Sequence, residues 1–147
     1  MADQELLDGL IATYRELNFR VRTLPEDRLR LNTGHGSVRD VIKRLRDHEL
    51  SFSQALKDSQ IGIAMPDVFA GEPPIVAPES LDENTSTILA QFGTARESTL
   101  AMLRALPPMD WNKPAGGGAS VETRASELLQ NDRRVRERLV QLLGSPA

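Results

Sequence analysis

The sequence predicts an all-α fold: a four-helix bundle with a long crossover connection between its second and third helices. Three observations carry that expectation. Four segments place apolar residues at three- and four-residue steps. Strand signals are nearly absent. The two connections that follow the first and third segments share one pattern of turn residues. A chain of 147 residues is long enough for one domain with its own core. The helices are expected at about 3–24, 37–58, 80–106 and 120–143.

In the first segment Leu6, Leu7, Leu10, Ile11, Tyr14, Leu17, Val21 and Leu24 form the apolar stripe. Asp3 is placed to cap it, and Asp3, Glu5 and Asp8 put negative charge at the positive end of the helix dipole. Pro25 stops it. The second segment opens at Ser37, whose hydroxyl can accept from a free backbone N–H, with Asp40 three residues on. Its inner face is Val38, Val41, Ile42, Leu45, Phe52 and Leu56.

The third segment is expected to open at Ser80, with Glu83 in the same relation and Ile88, Leu89, Phe92, Thr99, Leu103 and Leu106 inward. The fourth opens near Ser120 and turns Val121, Ala125, Leu128, Val135, Leu139 and Leu142 inward, with Gly144 ending it. Residues 59–78 hold Pro66, Pro73, Pro74, Pro78, Gly62 and Gly71. That connection is too long for a plain turn, and reads as a packed crossover or a functional loop. Its IGIAM stretch, Ile61–Met65, is the one strand candidate.

An internal echo accompanies this organisation. LPEDRLRLNTGHGSV follows the first helix and LPPMDWNKPAGGGASV the third. Both run from Leu-Pro, through an acid and a bulky apolar residue, to a glycine-rich turn and Ser-Val, which makes Leu29 and Trp111 near-equivalent. Two hairpins that converged on one capping solution, or two related halves, would each produce it. His35, between two glycines, reads as a turn residue. Trp111 reads as an anchor over the bundle end, with a ligand lid as the alternative.

The charge balance narrows function. A net charge of -3 argues against a nucleic-acid binder, which needs a basic face. The arginines at 133, 134, 136 and 138 alternate with Glu127, Asp132 and Glu137 and lack aromatic companions for base stacking, so they read as a solvated face, with an anion or nucleic-acid contact as the lesser reading. The absence of cysteine removes disulfides and thiolate chemistry. The acidic start is unlike a signal peptide, and no apolar run approaches the ~20 residues that span a bilayer, so a cytoplasmic location without membrane contact is expected. No serine sits in a nucleophile-elbow setting. The glycines at 116–118 lack the lysine of a phosphate loop and read as a turn.

LPEDRL followed by SVRDVIKRLRDHE, then MDWNKPAG, then ELLQNDRRVRERLVQL, in that order and spacing, resembles the DinB-like superfamily. This damage-inducible family includes mycothiol-dependent maleylpyruvate isomerase and bacillithiol transferases. The resemblance spans most of the chain and implies a four-helix bundle, commonly dimeric. In the family, three histidines bind a divalent metal, one on the second helix and two on the fourth. Those positions fall here at Arg44, Asn131 and Val135, and the family's tryptophan before Ser-Val falls at Gly36. No histidine follows His48. A guanidinium offers donors only and valine has no ligand atom, so the resemblance implies the fold without its metal, and no cofactor is expected.

The expected pocket residues are therefore Arg44, His48, Asn131, Asp132 and Val135. Arg44 has three readings. It lies at the stripe's edge with its head in water; or it pairs with Asp132 or Glu49 as an inter-helix tie; or it stands in for the metal and holds an anion. His48 shares its face, as a hydrogen-bonded histidine, a general base, or one ligand of a weak site with Glu49 and Asp132. Two functions follow: a non-catalytic dimer that binds a small-molecule or anionic ligand or is purely structural, and a metal-independent thiol-dependent transferase or isomerase in which Arg44 lowers the thiol's pKa.

Overall fold

The computed structural model describes residues 2–71, 83–114 and 118–144, with side chains from residue 4 onward. The described chain is all-α. Four long helices, α1 (Ala2–Arg22), α3 (Val38–Ser59), α4 (Thr85–Ala105) and α5 (Val121–Leu143), are joined by a short α2 (Glu26–Arg30) and a 3-10 turn at Pro108–Asp110. No strand forms among the described residues, and Ile61–Met65 begins as a turn. No helix is long and apolar enough to cross a membrane.

Each long helix packs mainly on two others: α1 on α4 and α5, α3 on α4 and α5. Two apolar clusters show the directions. One gathers Leu6, Leu10, Phe52, Leu56, Leu100, Leu103, Trp111, Val121 and Leu128. The other gathers Leu17, Val21, Leu29, Ile42, Leu45, Ile88, Phe92, Leu139 and Leu142. Helices α1 and α5 run from the first cluster to the second, whereas α3 and α4 run the other way. The neighbours α3 and α4 are thus parallel. That explains the long crossover, because the chain must return the length of a 22-residue helix, about 33 Å, before α4 can start. Met65, buried in the first cluster, and its carbonyl, which accepts from Arg124 Nε at 3.0 Å, pack the start of this crossover onto the helices. Gly93 allows α1 and α4 to approach, since a Cβ there would lie 2.5 Å from Tyr14 Cε1.

The capping serines behave as their position in the sequence implies. Ser37 Oγ accepts from the Asp40 N–H and Ser120 Oγ from the Thr123 N–H, each at 3.1 Å. Gly144, at φ 85, closes α5. Leu29 and Trp111 are both buried, one in each cluster, so the echoed loops pack at opposite ends of the long helices.

The boundaries differ from the sequence expectation at two helices. Helix α1 begins at Ala2, so Asp3 lies inside it rather than before it; the Asp3 side chain falls outside the described residues. Helix α4 begins at Thr85, not 80, and Ser80 also lies outside the described residues. Asn84, its N-cap, makes no side-chain cap. The cap comes from another helix: Glu26 of α2 accepts from the Thr85 N–H at 2.9 Å and from Thr85 Oγ1 at 2.8 Å, while Arg30 holds the same carboxylate at 2.7 Å. A run of local spacing cannot reveal a cap donated from 59 residues away.

Partial burial opposes ionisation of Glu26, but the Arg30 and Thr85 hydrogen bonds outweigh it and hold its pKa below 4.5. A lowered folded pKa contributes stability above the unfolded value, lost as pH falls through the folded one. Glu26→Ala is expected to cost about 1–2 kcal/mol at neutral pH, as for a lost cap with its charge. In urea titrations the gap between variant and parent narrows as pH drops below 4.5; a gap independent of pH would remove the charged cap from the account.

Candidate functional site

Two polar assemblies among the described residues bear on function. The first is a layer between the two clusters to which each long helix gives one residue: Thr13, Glu49, Arg96 and Asp132. All four are essentially inaccessible to solvent. Arg96 Nη1 donates to Asp132 Oδ2 at 2.9 Å and to the Leu10 carbonyl at 2.8 Å. Its Nη2 donates to Asp132 Oδ1 and Glu49 Oε1, both at 2.9 Å. Thr13 Oγ1 donates to Asp132 Oδ2 at 2.6 Å. Burial works against the charge on Arg96, yet the two carboxylates outweigh it and keep its pKa above the ordinary arginine value. At the edge of the layer Arg136 donates to Thr13 Oγ1 and pairs with Glu16 at 3.0 Å.

The arrangement carries the echo into the interior. Glu49 and Asp132 stand at the same distance along the chain from their capping serines, Ser37 and Ser120. Within the layer, sequence reasoning missed Thr13 and, above all, Arg96. Its signal is a break in the α4 stripe after Phe92, matched by polar breaks at the same height in the other three helices.

The second assembly is a cleft of about 280 Å³ between α3 and α5. Helix α3 supplies Val41, Arg44, Leu45 and His48; α5 supplies Asn131, Arg134, Val135 and Arg138. On each helix these residues follow three- and four-residue steps, so one face of each helix makes the wall. Val41, Leu45 and Val135 give it apolar surface. His48 is buried, with its ring 4.9 Å from that of Phe69 in the crossover. Asn131 is 9% exposed, and its Nδ2 has no hydrogen-bond partner among the described residues. Arg138 donates to the carbonyl of His35, held in a turn between Gly34 and Gly36, both at positive φ. Among the described residues no carboxylate lines the cleft.

Of the five residues expected in a pocket, Arg44, His48, Asn131 and Val135 meet in this cleft. Asp132 does not. It is turned about 100° around α5 from Asn131, into the buried layer. Arg44 is exposed at the cleft rim, so the interior is not where its charge lies. Asp132 and Glu49 are tied by Arg96 rather than by Arg44. The His48, Glu49 and Asp132 set does not form: the histidine faces the cleft and both acids face Arg96. Among the described residues no group of three or more histidines and acids is placed to hold a metal ion. The cleft does not fit a divalent cation, since arginine only donates and valine offers nothing.

A larger open groove, about 1040 Å³, runs between α3 and α4 past Ser51, Ala90, Thr94 and Ser98, with Lys57 and Asp58 as its charged residues. It presents small neutral side chains and no convergent set of donors that would orient a ligand. The smaller cleft is the stronger candidate, because size is not what fixes a polar ligand.

No protein-family model, curated protein or solved structure matches this chain.

Proposed function

We propose that this protein is a DinB-like four-helix bundle that has given up the three-histidine metal centre and acts as a non-catalytic binding protein, with the α3–α5 cleft as its ligand site. One observation carries the reading. Arg44, Asn131 and Val135, which the resemblance aligns with the metal ligands, sit on facing walls of one cleft although 87 residues separate the first from the second. Random positions on two helices do not converge in this way. The closed ring of helix contacts and the parallel α3–α4 pair support the bundle assignment. The same resemblance makes a homodimer the expected assembly.

The alternative, a thiol-dependent transferase with Arg44 in place of the metal, has weaker support. Arg44 is exposed, and a single charge acting through water shifts a thiol's pKa little. Metal analysis of protein purified without a histidine tag checks the main reading. Zinc, nickel and manganese should all be well below one ion per chain, and stoichiometric zinc or nickel would overturn it. A thermal-shift series with mycothiol, bacillithiol and glutathione tests the alternative, with no stabilisation expected.

A further inference from the structure

Resting on that reading of the cleft, we propose that its ligand is a small phosphate-monoester-like anion, the charged head held by Arg134, Arg138 and the Asn131 amide and a short apolar body lying on Val41, Leu45 and Val135. The guanidinium of Arg134 has neither an ion pair nor a hydrogen bond among the described residues. Arg138 donates only to neutral oxygens, of His35 and Gln141. Elsewhere on α5, Arg124 and Arg136 each meet a glutamate, at 2.9 and 3.0 Å. Arg134 and Arg138 are four residues apart on one helix face, a like-charge pair that weakens the helix slightly unless an anion bridges it.

Asn131 is the independent sign of a ligand. A buried amide N–H₂ lining the cleft without a partner carries a desolvation cost that an acceptor oxygen would remove. Two unneutralised guanidiniums and this amide match a dianion with several acceptor oxygens better than a single carboxylate. The volume suits a head group with a body about the size of a benzene ring. Among the described residues no Phe, Tyr or Trp lines the cleft for base stacking, and the chain is acidic overall, so a polymer of nucleotides is the poorer fit.

Amide chemical shifts of the full, ¹⁵N-labelled chain test the proposal with three probes: phenyl phosphate, inorganic phosphate and benzyl alcohol as the neutral counterpart. Phenyl phosphate should shift amides of 41–48 and 131–138 and bind more tightly than either other probe, less so in added salt. Arg134→Gln removes an exposed, unpartnered side chain, so the fold is retained; phenyl phosphate affinity should fall about tenfold, as for one hydrogen bond to a charged group. Arg133→Gln, exposed and outside the cleft, should leave it unchanged. Equal affinity for benzyl alcohol would overturn the anion while leaving the cleft as a binding site. Equal losses for the two variants would overturn the placement of the head group. If no probe shifts the cleft amides, the ligand class and the cleft reading fall together.

Discussion

Arg96→Met is expected to destabilise the protein by about 3–5 kcal/mol, the usual cost of removing one partner from a buried ion pair. Arg96 is 1% exposed and is the only cation bonded to Glu49 and Asp132 among the described residues. Methionine nearly fills the same volume, so the loss reports charge rather than a cavity. Two carboxylates would remain in a dry layer, and either proton uptake or water entry would have to relieve them. The companion variant separates this cause from packing. In Arg96→Met/Glu49→Leu/Asp132→Leu no charge is left, and Thr13 Oγ1 keeps the Gly9 carbonyl as acceptor at 3.1 Å. That triple variant should recover the parental stability or exceed it by about 1–4 kcal/mol. Urea midpoints at neutral pH decide the matter. A single-variant loss below about 1 kcal/mol would mean the layer is wet and ordinary surface pairing applies.

The second large effect is at the opposite kind of contact. Trp111→Ala should cost about 3–4 kcal/mol, the transfer of a large aromatic plus the cavity it leaves. Trp111 is 3% exposed within the first apolar cluster, and its carbonyl accepts from the Glu122 N–H at 3.0 Å in the first turn of α5. That bond belongs to the backbone and survives in alanine, so the loss reports the buried side chain that anchors this loop in the first cluster. It is the sole tryptophan, so circular dichroism rather than fluorescence must follow the variant. Leu29→Ala, its counterpart in the second cluster, should cost about 2–4 kcal/mol. Because the ionic layer separates the two clusters, the two losses should add to within about 0.5 kcal/mol. Strong coupling between them would show that the interior is one continuous core instead.

The layer also matters for the cleft. Asp132 and Asn131 are consecutive, and the bonds from Arg96 and Thr13 fix the rotation of α5 about its axis. That rotation turns Asn131, Val135 and Arg138 toward α3. Phosphate-probe binding and the stability of the layer should therefore be linked, and the triple variant tests it: apolar side chains hold α5 without defining its rotation as sharply as directional hydrogen bonds do.

The residues legible in advance are those governed by their near neighbours. Apolar spacing located the four long helices, the serine hydroxyls at 37 and 120 and the glycine at 144 marked ends, and the loop echo picked out Leu29 and Trp111. Helical period, capping and turn geometry act over a few residues, so the sequence carries them directly. Four of the five residues expected in a pocket line one cleft, because a helix face is a local property and only the pairing of two faces had to be supplied.

What the linear order could not determine is which charges would meet. One of the three readings of Arg44 gave it the acids that Arg96 takes, and Ser80 was given the cap that Glu26 provides. Arginine, glutamate and aspartate are abundant here, and each could pair with many others while the chain is unfolded. Only the parallel packing of α3 on α4, with α1 and α5 behind them, sets four particular side chains at one height and excludes water from them. The helices and their inward faces were thus determined by the sequence alone; the ionic layer, and a cleft that no carboxylate lines among the described residues, were decided by how those helices stack.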